Sequence, residues 1–86
     1  MKIQGAIIKE QGVRFAVVVV KHHVVSNPTQ ANKTIRAFQP WFSGLPVVLM
    51  GQDSRGTPTY FGRRDISRFM ANVPLAAVRW KEFSVS

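Results

Sequence analysis

The run Phe15-Ala16-Val17-Val18-Val19-Val20 (FAVVVV) most narrows the folds open to this chain. Its four successive β-branched residues favour extended backbone, because their side chains lose χ1 freedom in a helix. Neighbouring side chains of a strand point to opposite faces, so a strand apolar at every position needs cover on both. The run is also far shorter than the ~20 residues that cross a bilayer. It is expected at the centre of a sheet in a soluble domain.

The flanking sequence supplies the partners of that strand. Lys2 to Lys9 reads as a first strand, and Gln11-Gly12 as a tight turn in which glycine supplies the positive φ of a hairpin. The second strand is predicted from Val13 to Val25. Ser26 or Asn27 can then cap a helix with Pro28 in its first turn, where a missing N–H is no loss. Ala31, Ile35, Phe38 and Phe42 make its apolar stripe, Lys33 and Arg36 lie outside, and Pro40 ends it near Phe38. Pro46 to Met50 is a third strand, and Asp53 to Gly56 (DSRG) a turn into a short fourth. A second helix is predicted from Arg63 to Asn72, with Ile66, Phe69, Met70 and Val73 inward and Pro74 closing it. Leu75 to Val85 reads as a fifth strand, with Val78 and Trp80 on one face and Arg79, Lys81 and Phe83 on the other.

The order ββαββαβ predicts a single small α+β domain: a mixed five-stranded sheet with two helices. The strand–helix–strand unit should be parallel and right-handed, and the short turns should make antiparallel hairpins. For 86 residues the expectation is two layers, both helices on one face. The other face would then be open valine, which a homodimer would cover.

Twelve Lys and Arg oppose four Asp and Glu, a net charge of +8. That excess favours an anionic partner: nucleic acid, a phosphate-containing ligand or an acidic protein. No basic run exceeds Arg63-Arg64, so a patch must be assembled by folding. With no cysteine there is neither a disulfide framework nor a thiolate metal site. The N-terminus lacks the long apolar stretch of a signal peptide. A cytoplasmic setting without membrane attachment is expected.

Catalytic motifs are missing. The four carboxylates, Glu10, Asp53, Asp65 and Glu82, stand at no spacing that predicts an acid–base pair. His22 and His23 would point to opposite faces of a strand, so they do not share a metal ion. Neither GxGxxG nor a Walker-type glycine loop occurs, and no cofactor is expected. The basic residues Arg79 and Lys81 lie beside Tyr60, Phe61, Trp80 and Phe83, which raises base stacking as a use, but the RNA-recognition signature is absent.

Two candidate sites remain. Tyr60 to Phe69 (YFGRRDISRF) sets two arginines at a helix start, where positive charge opposes the macrodipole. Gly62 before it would let an anion approach the free N–H groups, flanked by Arg63, Arg64 and Arg68. Asp65 is spaced to pair with Arg68. Arg55 at a hairpin tip, Arg79 and Lys81 complete the anion-binding set. The alternative is a small enzyme or ligand-binding protein with its pocket at the end of the central strand, lined by His22, His23, Ser26 and Asn27.

Gly56 to Phe61 (GTPTYF) resembles the threonine–proline turn entering a strand in thioredoxin-like proteins, where a hairpin and a helix also follow. The resemblance covers six residues. The CxxC of that family is absent, and KHHVVSNP stands after the valine run. Thiol–disulfide exchange is excluded for want of a sulfur nucleophile.

Overall fold

The computed structural model describes residues 1–10 and 12–85. Among these, strands β1 (Lys2–Glu10), β2 (Val13–Val19), β3 (Val47–Gln52), β4 (Pro58–Phe61) and β5 (Lys81–Ser84) form one sheet in the order β4-β3-β2-β1-β5. Helix α1 (His22–Val25) follows β2, α2 (Pro28–Phe38) leads to β3, and α3 (Arg64–Ala71) follows β4. Gln39–Phe42 and Leu75–Ala77 are 3-10 turns.

The valine run sits where its composition requires. β2 is parallel to β3, from Ala16 opposite Val47 to Val19 opposite Met50, and antiparallel to β1. The β3–β4 hairpin and the β1–β5 pair are antiparallel. The result is the mixed five-stranded α+β sheet that the element order predicts.

The layering differs from expectation. Ala16, Val18, Val47 and Leu49 pack with Ala31 and Phe42, beneath α2. Phe15, Val17, Val48 and Met50 pack with Ile66 and Met70 of α3. The two main helices therefore lie on opposite faces, and the domain has three layers, not two. A strand with valine at successive positions leaves neither face cheaply wet, and one helix per face meets that demand. The open valine face that a homodimer would have covered is absent from β2 and β3.

Two boundaries also move. β2 ends at Val19, and His22–Val25 is a short helix instead of a continued strand. The ladder to β3 runs out at Met50, whose carbonyl takes a last bond from Val20 N–H (2.8 Å); Val25 then turns back against Gly51. α2 is capped by Asn27, whose side chain accepts from Gln30 N–H at 3.2 Å. β5 spans only Lys81–Ser84, because residues 75–80 fold into turns fastened by Trp80 Nε1 donating to the Leu75 carbonyl (3.3 Å). Gly12 holds φ 80° after β1, as a hairpin turn needs; its partner in that turn, Gln11, lies outside the described residues.

Candidate functional site

The start of α3 holds its own anion. Arg63 donates to Asp65 twice, Nε to Oδ1 at 2.9 Å and Nη2 to Oδ2 at 2.6 Å. Asp65 thus pairs with Arg63 and not with Arg68. The Arg63 bond holds the Asp65 carboxyl down at about 2, with a smaller contribution from the Ile66 N–H. The first turn of α3 thus carries a carboxylate of its own, paired with the arginine that precedes the helix.

Gly62 serves packing. A Cβ there would stand 2.9 Å from Val48 Cγ2 and 3.1 Å from Val48 Cα, at φ 156°. The missing side chain lets the chain pass close beside Val48 of β3 on its way into α3. Arg64 and Arg68 are exposed, one turn apart on α3.

The remaining arginines are not gathered at that helix. Lys81, Gly5, Val18, Leu49 and Phe61 form one row across the sheet, so Lys81 is four strand spacings, about 19 Å, from the strand entering α3. Arg55 lies in the turn beyond Gln52 and Pro58, at the other end of the β3–β4 hairpin from Gly62. There Asp53 Oδ1 accepts from the N–H groups of Arg55 (2.9 Å) and Thr57 (3.0 Å), an ordinary side-chain-braced turn. The sequence set therefore divides into three places.

The strand-end residues lie on the outside of the domain. His22, His23, Ser26 and Asn27 are all exposed. Ser26 Oγ donates to the His23 carbonyl (3.2 Å), and Asn27 is taken up in capping α2. The space between this segment and the sheet is filled: a Cβ at Gly51 would meet Val25 Cγ2 at 2.9 Å and His22 Cα at 3.0 Å. Among the described residues, no three His, Asp or Glu side chains come together as a metal site would require.

Folding does bring two carboxylates to one cleft. Glu10 and Asp65 line a hollow of about 250 Å³ over Phe15, Ile66 and Phe69. Asp65, paired with Arg63 and held at about 2, is a poor proton acceptor at neutral pH. The aromatic residues considered for base stacking are packed inward. Tyr60 and Trp80 join the α3-side cluster; Phe61 and Phe83 join the other, where Phe83 meets Phe42 edge to face at 5.5 Å. The Tyr60 hydroxyl is buried without a hydrogen-bond partner among the described residues, and burial raises its pKa.

The sheet register creates a basic strip that the sequence reading missed. Lys9 stands directly opposite Arg14 in the β1–β2 hairpin. Both share the α2 side of the sheet with Ile7, which is opposite Ala16, and with Lys81, opposite Gly5. Here the helical layer stops short: Ile7 is 45% exposed, and Lys9, Arg14 and Lys81 are exposed. Arg79 lines a hollow of about 170 Å³ with Ile7, Lys81 and Phe83. The signal was present in the sequence, since a two-residue turn at Gln11-Gly12 makes Lys9 and Arg14 equidistant from it. Like charges directly opposite each other destabilise a strand pair. None of the four cations forms a salt bridge among the described residues, where ion pairs occur at Lys2–Glu82 and Arg63–Asp65.

No family model, curated protein or solved structure matches the chain. The likeness of GTPTYF to thioredoxin-like proteins therefore rests on those residues alone. No helix among the described residues is long and apolar enough to cross a membrane.

Proposed function

We propose that this chain is a small non-catalytic binding module or assembly subunit whose partner is anionic. The observation that carries the reading is the strip of Lys9, Arg14, Lys81 and Arg79 around exposed Ile7. Unpaired cations facing one another across a ladder are relieved by a partner's negative charge, and an apolar centre with a charged rim is the usual anatomy of a binding patch. Arg64 and Arg68 on α3 form a separate, weaker candidate. The lack of cysteine suits a reducing, cytoplasmic setting.

The test is an amide NMR titration of labelled protein with polyglutamate, a mixed-sequence oligonucleotide and inorganic phosphate, at low and moderate salt. Shifts should centre on Ile7, Lys9, Arg14 and Lys81 and weaken as salt is added. The double variant Lys9→Gln, Arg14→Gln should lose binding, while Arg64→Gln, Arg68→Gln should keep it. The opposite pattern would move the site to α3. No saturable shift with any anion at low salt would overturn the reading.

A further inference from the structure

Beside the basic strip, the outer edge of β1 is half paired. Met1 and Val85 exchange both main-chain bonds, Met1 N to Val85 O at 2.8 Å and Val85 N to Met1 O at 2.7 Å. Such bonded pairs recur at every second residue of an antiparallel ladder, so Ile3 and Gly5 also face β5. By the same alternation Ile7 and Lys9 aim their N–H and C=O groups to that side. β5 begins only opposite Gly5, at Lys81. Before it the chain turns away, with Trp80 N–H bonded to the Val78 carbonyl (3.1 Å). Among the described residues no main-chain group answers Ile7 or Lys9 along this edge.

The edge is flanked on both faces by hollows. On the α2 side lies the one formed by Ile7, Arg79, Lys81 and Phe83. On the α3 side a hollow of about 260 Å³ is lined by Ala6, Ile8, Phe69, Val73 and Val78, and Ile7 and Arg79 border both hollows. Strand addition uses this arrangement: main-chain bonds hold the incoming segment, and recesses on either face take its alternate side chains.

Resting on the anionic-partner reading above, we infer that the β1 edge from Ala6 to Glu10 receives an extended acidic segment of another protein as an added strand. Its residues facing α3 would be apolar, to enter the Phe69–Val73 hollow, and those facing α2 acidic, to meet Lys9 and Lys81, with Arg79 bordering both hollows. Charge decides against a second copy of this chain, because edge-to-edge pairing would set these cations against their duplicates. Nucleic acid fits less well, because Tyr60, Phe61, Trp80 and Phe83 are partly buried against the two core clusters while unpaired strand groups are open.

The probe is a capped peptide of about eight residues, a common strand length, alternating valine and glutamate. Its control is a peptide of the same composition in two blocks. In the free protein the Ile7 and Lys9 amides should exchange quickly with solvent. The alternating peptide should slow both at least tenfold and bind roughly tenfold more tightly than the block peptide. Ile7→Pro, which removes an outward N–H and leaves every cation in place, should abolish that difference. Because the exchange experiment uses the unaltered chain, it decides the matter even if this variant misfolds. Shifts over the basic strip without protection at Ile7 and Lys9 would sink strand addition and leave the anionic-partner reading standing; no binding to either peptide or to the oligonucleotide would sink both. Tighter binding of the oligonucleotide, or concentration-dependent protection of the same amides without peptide, would overturn the inference in favour of nucleic acid or self-association.

Discussion

Arg63, just before α3, brings a charge of the wrong sign to a helix N-terminus, and Asp65 answers it from two residues away. Both side chains are exposed, so the pair is screened by solvent and salt and its contribution to stability is small. Its effect on proton affinity is clear, however. With Asp65 held at about 2, below the ordinary ~3.9, the folded state binds that proton less readily than the unfolded chain. The pair's contribution is present above the ordinary carboxylate range and is lost as pH falls through about 2. In Arg63→Gln the Asp65 midpoint should rise towards its ordinary value, followed by the carboxyl carbon shift in an acid titration. A midpoint that stays near 2 would assign the shift to the helix N–H groups instead.

At the scale of elements, two glycines set how closely the connections cross β3. Gly51 admits α1, and Gly62 admits the chain entering α3. Gly62→Ala would press a methyl group into Val48 from a backbone angle that L-residues rarely adopt. The expected loss is about 1–3 kcal/mol in urea denaturation, as for other overpacked sites. Anion affinity of the variant that remains folded should be unchanged. A stable variant with weakened anion binding would restore Gly62 to the role that its sequence position first proposed. The helix stripes need no such argument: Ala31, Ile35, Phe38 and Phe42 reach one core cluster, while Ile66 and Met70, with Phe69 and Val73 against them, reach the other.

For the whole molecule, a charge of +8 over 86 residues works against compaction through self-repulsion. The Debye length falls from about 30 Å at 0.01 M salt to about 8 Å at 0.15 M, within the dimensions of a domain 31 × 28 × 23 Å across. Thermal midpoints should therefore climb as salt is raised over that range. Phosphate matched in ionic strength to chloride should add a further increment only if an anion occupies a defined site. A flat response to salt would mean that the cations are already too dispersed to repel. That outcome would conflict with the Lys9–Arg14 juxtaposition.

The element order, the hairpins, the parallel β2–β3 pair and the inward helix positions were legible in local pattern. Each follows from side-chain period, turn chemistry or proline over a few residues. Even the two-sided cover of the valine run was implied by its composition, although the two-layer expectation passed over it. What only the tertiary structure decided is what lies side by side. Asp65 could pair with a basic residue on either side of it, and it meets Arg63, whose non-helical backbone just before α3 frees it from the helical spacing that favoured Arg68. Lys81 joins Ile7, Lys9 and Arg14 because β5 pairs with β1, a contact between opposite ends of the chain that no local signal encodes. The candidate site changed hands for that reason: spacing along a chain ranks neighbours on one element, whereas a surface is set by register between strands distant in sequence.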